Sequence, residues 1–597
     1  MSGKVTLAGR QKNAIVLIFC AVVLLIVALL VVNYLVSMYD YVDTDGTKYI
    51  VKREGSSYAL FDQKGYMLDT TIEDGKEYFV TDAGTMVAVT ASGKTSVYAV
   101  VDTGEGESVS AYNRLMIYPK VESTALKSLR IKNQHGSYTF ERNNNGNIVL
   151  RGFEQVSYNA ERYAYLSGLC GNLVVMDNGR FSEKVIAKYG LAEYGLDEPQ
   201  ATFTITSSGG KSYTILVGDA VVSGNGYYVM FEGREVVYII NAYYGMLLDP
   251  VESYISPALT YGVTANNYPE VQNFRVYDYT YDADGKPSAS MITALTYWPY
   301  EERENTEYQT QTYKMIDQEL LAYVPESSAV TSTMEKLIML ENAKVVKLGV
   351  NDKVLTSYGL DKPETLLSYD FTSRTEKATL YLRNRYWFSP ITERGTHYVY
   401  AEVEVSEDGE TYLPMNAYDY VLEVGLASLS FLSWNKIDWV EAYYFHINIM
   451  LMESMEVITP EGKILFDFEI GKDDVEKITA TMNGEKRSIN IDEYKKMYRN
   501  MLFGVLFDET DKTEQELREI VEDENKLQLS YRVKTKKTDK TEGVDNTYSF
   551  YNLGESRSYL TINGGGEFYV LSNDVLKTAE DAMKLWRGEP IESLLIN

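Results

Sequence analysis

An N-terminal transmembrane helix followed by tandem duplicated α+β domains with mostly antiparallel sheets is the architecture that the sequence predicts. Three observations predict it. An unbroken apolar run fills 14–32. The phrase Tyr194-Gly195-Leu196-Asp197-Glu198-Pro199 returns 164 residues later as Tyr358-Gly359-Leu360-Asp361-Lys362-Pro363. Around both copies, short runs rich in Tyr, Val, Ile and Thr alternate with turn residues and a few stretches of helical periodicity.

The apolar run continues through Asn33-Tyr34-Leu35-Val36 and is long enough to cross a bilayer, so 14–36 is expected to span the membrane in contact with lipid. A cleaved signal peptide fits less well. Its apolar region is typically about 7 to 15 residues long, and Val36-Ser37-Met38-Tyr39-Asp40 makes a poor cleavage site. Cys20, preceded by Ile18-Phe19, reads as a small residue facing lipid rather than a lipidated cysteine. Lys4, Arg10 and Lys12 precede the run without an acid, and Asp40, Asp43 and Asp45 follow it. The positive-inside rule then predicts a cytoplasmic tail over 1–13, a single pass of the cell membrane, and C-terminal domains outside the cytoplasm.

The chain carries a net charge of −28, hence −31 once the three tail cations are set aside. Such a surface repels nucleic acid and anionic headgroups at long range, which excludes nucleic acid as a partner class. Only Cys20 and Cys170 occur, so no disulfide can staple the exterior part, and ordinary cores must hold it. Its length suits three or four domains.

Along that part, 39–125 reads as a small β-rich domain beside the membrane, with runs such as Tyr58-Ala59-Leu60 and Tyr78-Phe79-Val80 separated by Asp-Gly and Ser-Gly turns. The first α+β repeat is expected over 126–268. Its meander leads into a helix with Tyr163, Leu166, Leu169, Cys170 and Leu173 at helical spacing, and the phrase and a second meander follow. A second repeat over 269–440 keeps the order, with a helix through Met334, Leu337, Ile338 and Leu340. In it His397-Tyr398-Val399 corresponds to Tyr227-Tyr228-Val229, and Asn416-Ala417-Tyr418 to Asn241-Ala242-Tyr243. A diverged third repeat is expected over 441–597, where the phrase is missing and 494–506 reads as the helix, with Met497, Tyr498, Met501, Leu502 and Val505 on one side.

The phrase itself reads as a structural device, in Tyr194, Gly195, Leu196, Asp197 and Pro199 and again in Tyr358, Gly359, Leu360, Asp361 and Pro363. Gly supplies a left-handed helix cap, Leu docks back on the helix, and Pro bars further helix before the next strand. A separation of 164 residues far exceeds the repeat of a solenoid or propeller, so the repeating unit is a domain.

Chemistry-bearing motifs are absent or fail on spacing. Ser92-Gly93-Lys94-Thr95 and Gly209-Gly210-Lys211-Ser212 imitate phosphate loops, but the required earlier Gly is Ala88 in one and Ile205 in the other. His135, His397 and His446 are scattered and form no metal-ligand spacing. Asp43-Thr44-Asp45-Gly46 and Asp282-Ala283-Asp284-Gly285 start like calcium loops but lack the distal Glu, so they read as hairpin turns. No serine-nucleophile elbow appears, and no carboxylate pair stands out. The expectation is therefore a protein that is not an enzyme, with no catalytic, cofactor-binding or metal residues. The basic island Arg532, Lys534, Lys536, Lys537 and Lys540 reads as a hairpin decoration, with contact to an acidic partner or envelope polymer as the sharper reading. The chain's 51 tyrosines suit half-buried strands, with glycan stacking as the sharper reading.

The combination of an N-terminal apolar segment, the meander, the helix, Tyr194 through Pro199, Gly218-Asp219, Gly226 through Val229, Tyr358 through Pro363 and His397 through Val399 resembles the bacterial domain-of-unknown-function 4340 family. The second copy lacks a clear Gly-Asp counterpart. Members look like extracytoplasmic partners of ABC-2 type transporters, related to the auxiliary component of gliding-motility transport. The resemblance implies a membrane-anchored accessory protein that handles or gates substrate, or scaffolds the complex, beside an ABC-2 permease and its ATPase. The alternative is a cell-envelope module that binds a glycan or wall polymer without a transporter.

Overall fold

The computed structural model describes residues 9–36, 40–73, 75–100, 115–176, 180–181, 183–234, 236–260, 270–303, 311–316, 323–340, 342–374, 378–415, 418–537, 543–554 and 556–593. Lys4, Asn416, Ala417 and Lys540, named above, lie outside them. The chain divides into two compact units, Met1–Ser256 and Pro257–Asn597.

Two expectations are corrected. Gly9–Val36 is helical, yet among the described residues no helix is long and apolar enough to cross a membrane. The predicted single-pass, membrane-spanning helix over 14–36 is therefore not upheld. The α+β class is also replaced: strands hold 43% of the residues and helices 25%, so the chain is mostly β. The cause lies in the connections. The helices that follow the first meanders, Ala160–Gly171, Ser327–Ile338 and Ile491–Leu502, are each only 12 residues long. Other connections are 3-10 turns such as Ala242–Leu248 and Leu426–Ser433.

Three large antiparallel sheets share one strand order. In the first it runs Ile148–Leu150, Gly136–Arg142, Leu126–Asn133, Ala201–Ser207, Ser212–Ala220, Gly226–Phe231, Val237–Asn241 and Arg180–Phe181. A meander read backwards is thus joined through its first strand to a second meander read forwards, and a short strand from the connection closes the far edge. The second sheet repeats this from Tyr313–Met315 to the edge strand Lys344–Leu348. The third repeats it from Glu485–Ile489 to Leu506–Glu509, with one more strand in its first meander and without the phrase. Its helix ends at Leu502 rather than at 506. Gly504 sits where any Cβ would collide with the Tyr444 ring, and the chain leaves the helix there to pair Leu506–Glu509 with Gly565–Leu571.

Side chains at the helix starts explain where helices begin. Asn159 accepts from the Arg162 N–H, Asn490 from the Asp492 and Glu493 N–H groups, and Thr513 forms a capping box with Glu516. In the first sheet the buried face gathers Leu129, Ile131, Phe140, Phe203, Ile205 and Ile215, with Leu166 and Cys170 of the helix Ala160–Gly171 also buried. In the third, the helices Ile491–Leu502 and Ser572–Arg587 contribute Tyr494, Met497, Val575 and Ala582 to a core with Phe466, Tyr531 and Phe550. Alternation of buried and partly buried residues along the strands is the period-2 signature of half-buried sheets.

The expected membrane-proximal sheet is two sheets, Tyr41–Val42 with Lys48–Glu54 and Ser57–Phe61, and Thr70–Glu73 with Lys76–Val80, Thr85–Val89 and Thr95–Val100. Asp43, the first acid of Asp43-Thr44-Asp45-Gly46, is only 5% exposed. Its carboxylate accepts hydrogen bonds from the Thr81 and Thr85 hydroxyls and the Thr44 N–H. Burial alone would raise its pKa, but these donors outweigh burial and hold it below its ordinary value of 3.8. A carboxylate depressed on folding contributes stability that is present above its unfolded pKa and is lost as pH falls through the folded one. Acid unfolding followed by tryptophan-independent far-UV circular dichroism should therefore show a loss of stability below about pH 4. Asp43→Asn should flatten that part of the profile, and an unchanged profile would refute the assignment.

Candidate functional site: a neutral cleft in the first unit

The two copies of the phrase make the same bonds. Gly195 takes φ 63° and Gly359 φ 69°. The Gly195 N–H donates to Ala192 O and the Gly359 N–H to Thr356 O, each at 3.2 Å. The Leu196 N–H reaches back to Leu191 O at 3.1 Å, and the Leu360 N–H to Leu355 O at 2.8 Å. These are the carbonyl-satisfying bonds of helix C-termini. Leu196 and Leu360 are buried. Tyr194 meets Tyr228 edge-on at 5.1 Å, and Tyr358 meets Tyr398 edge-on at 4.7 Å, so the phrase and the aromatic-Tyr-Val strand form one packing unit in each copy. Asp197 caps the next N–H, that of Glu198, at 3.0 Å, while Asp361 is exposed. The Pro363 carbonyl accepts from the Tyr281 hydroxyl at 3.0 Å. Gly218 lies directly against the Tyr194 carbonyl, and in the second copy Ser389 and Pro390 are the residues near Gly359.

The other sequence candidates resolve into local roles. Gly209-Gly210-Lys211 is the turn between Ala201–Ser207 and Ser212–Ala220; Lys211 lies over the Tyr213 ring at 4.8 Å and pairs with Glu54 at 3.3 Å. Burial lowers its pKa, with Glu54 opposing. His397 is buried with Nδ1 2.7 Å from the Ser389 carbonyl oxygen. His446 has Nε2 2.5 Å from the Tyr443 carbonyl oxygen, and burial depresses its pKa. Arg532 makes two 2.6 Å hydrogen bonds to Asp545, which anchors the basic island to its hairpin. Among the described residues no group of three or more His, Cys, Asp or Glu is placed to hold a metal ion.

What these elements do build is a cleft of about 690 Å³ in the first unit, between the C-terminal half of the helix Ala160–Gly171, residues 172–176, and the turn Ala242–Leu248. The helix is closed by the Asn172 N–H, which donates to Gly168 O and Leu169 O. Asn241 caps the turn by accepting from the Tyr243 N–H at 2.9 Å. The Tyr244 hydroxyl donates to Leu169 O at 2.9 Å and ties turn to helix. Asn133 pins the turn's end from the sheet, its Nδ2 donating to the Leu247 and Asp249 carbonyls, each at 2.9 Å.

Ala164, Gly168, Leu169, Val174 and Met176 give the cleft an apolar lining, and Tyr165 and Tyr243 stand exposed at its rim. Their rings meet edge-on at 5.9 Å and 78°. Asn172 Oδ1 is buried and accepts no hydrogen bond. Cys170 of the same helix points elsewhere, into the core, where burial pushes its thiol far above the ordinary range. A smaller cleft of about 240 Å³ in the second unit is lined by Arg385, Glu402, Glu404 and Asp419, and Arg385 pairs there with Glu402 at 3.9 Å and Glu404 at 3.7 Å.

Residues 154–321 match the family model described as domain of unknown function 4340. That stretch, rather than the whole chain, is what is similar to DUF4340. No curated protein and no solved structure matches it. The DUF4340 match encloses every residue that lines the larger cleft, from Ala164 through Tyr244. Sequence reading did not find this site. Tyr165 sits off the apolar stripe Tyr163, Leu166, Leu169, Cys170, and that misplaced aromatic was the available signal.

Proposed function

We propose that this protein is an extracytoplasmic accessory component of an ABC-2 type transport system, and that its first unit holds substrate in the cleft beneath Tyr165 and Tyr243. The cleft carries the reading. Its size falls within the roughly 300–1,000 Å³ of small-molecule sites, and its lining joins apolar surface to a few polar atoms. Its walls are held by hydrogen bonds from a helix end, a capped turn and a sheet, so it is formed before a ligand arrives. Among the described residues the lining consists of apolar side chains, tyrosines and asparagines, groups suited to binding and orienting a ligand. The link to a transporter comes from the family resemblance, which is an analogy and so is tested directly.

Affinity purification of the full-length chain from the native envelope is expected to recover a permease and its ATPase in stoichiometric yield. Recovery of the chain without them contradicts the accessory role. A second reading, an envelope-glycan binding module with no transporter, is favoured by one observation, the exposed Tyr165 and Tyr243 pair at the rim.

A further inference from the structure

We infer that the cleft binds a neutral saccharide, with sugar ring faces against Tyr165 and Tyr243 and a sugar hydroxyl donating to Asn172 Oδ1. This names the substrate class of the site proposed above and rests on the reading of that cleft as a ligand site.

Charge argues first. Among the described residues no Lys, Arg, Asp or Glu lines the cleft, although 24% of the chain is charged. An ionic ligand would lose hydration there and meet no countercharge. The net charge of −28 adds long-range repulsion against an anion.

Hydrogen bonding argues second. Asn172 Oδ1 is buried without a donor, and an unmade hydrogen bond at a buried acceptor is unfavourable. The backbone N–H of the same residue is already committed to Gly168 O and Leu169 O, and its carbonyl accepts from the Tyr244 hydroxyl at 3.4 Å. The side-chain oxygen is therefore the acceptor left for a ligand. A hydroxyl satisfies it, whereas an acyl chain brings no donor.

Ring geometry argues third. Tyr165 is 45% exposed and Tyr243 62% exposed, unlike the fully buried Tyr118 and Tyr254 of the same unit. Two nearly perpendicular ring faces beside an amide offer both kinds of contact that a pyranose presents, its C–H face and its rim of hydroxyls.

The test is calorimetric titration of the full-length chain with cellohexaose and chitohexaose, with hexagalacturonate and a decanoyl lysophospholipid as counter-probes. Two variants accompany it. Tyr243→Ala removes an exposed ring, and Gly168→Leu fills the cleft from a position where an added Cβ meets nothing within 4 Å. Replacing a helical Gly favours the helix, so loss of binding in that variant does not come from unfolding. The expected result is binding of a neutral probe that weakens tenfold or more in Tyr243→Ala and disappears in Gly168→Leu, at unchanged melting temperature. Absence of neutral-probe binding, preference for either counter-probe, or equal binding by both variants would overturn the inference. Recovery of the permease without saccharide binding defeats this inference alone, and saccharide binding without the permease defeats the accessory role alone.

Discussion

Asp69→Ala is expected to destabilise the unit Met1–Ser256 by about 3–5 kcal/mol, the cost of leaving a buried charge without its partner. Asp69 and Arg234 form an ion pair whose side chains are 4% and 8% exposed. The arrangement is closed by further bonds: the Tyr238 hydroxyl donates to Asp69 Oδ1 at 2.7 Å, and Arg234 Nη1 also donates to Met67 O at 3.3 Å. Burial would lower the Arg234 pKa, but Asp69 beside it more than reverses this, so the guanidinium stays charged. Removing the carboxylate strands that charge and takes away the acceptor of the Tyr238 hydrogen bond to Asp69 Oδ1. The double variant Asp69→Ala/Arg234→Met is expected to be more stable than Asp69→Ala, because no unpaired charge remains buried. Urea unfolding of the three proteins measures both values. A loss under about 1 kcal/mol in Asp69→Ala, the range of exposed pairs, would show that water reaches the pair.

Gly218→Ala is expected to cost about 3 kcal/mol, the upper part of the usual range for overpacking. A Cβ at 218 would run into the Tyr194 carbonyl oxygen and lie 3.0 Å from Leu196 Cγ. The obstruction is backbone, which cannot rotate away as a side chain can. Either the strand Ser212–Ala220 bends or the phrase lifts off, and the second outcome would part Tyr194 from Tyr228. Gly359→Ala is the contrast. There the nearest atom is Pro390 Cδ at 3.8 Å, so only the left-handed backbone is penalised, by about 1–2 kcal/mol. Similar losses in the two variants would mean that the Gly218 contact relaxes freely.

That contrast also explains a difference visible between the copies. Gly218-Asp219 follows the Tyr-Thr-Ile-Leu-Val run of the first copy, and nothing in the second copy's sequence matches it. In the structure the chain near Gly359 is Ser389-Pro390, far enough away that no glycine is needed. The phrase was legible because its residues act locally, through a left-handed Gly, a returning Leu and a Pro. Strand positions were legible for the same reason, since a period of two is a property of neighbouring residues.

Long-range pairing was not legible. Nothing local shows that Arg180–Phe181 joins the far edge beside Val237–Asn241, or that Lys344–Leu348 and Leu506–Glu509 do the same in their sheets. Asp69 and Arg234 are 165 positions apart and give no pattern in sequence. The balance of strand over helix was misread because the few helical stripes are only about three turns long, while the connections between strands fold as tight turns. The apolar run at 14–32 predicts a span that no described helix provides. The cleft escaped because its two walls come from 164–176 and 241–244, and because its polar atom, Asn172 Oδ1, is distinguished only by lacking a donor.

Hydrogen–deuterium exchange on the full-length chain, with and without saturating chitohexaose, tests the central claim most directly because it reads the position of binding. Protection is predicted in peptides covering 160–176 and 241–248, which hold the helix end and the capped turn that line the cleft, and Gly168→Leu should abolish it. Unchanged exchange in those peptides, or protection confined to other parts of the chain, would contradict the assignment of the cleft as the ligand site.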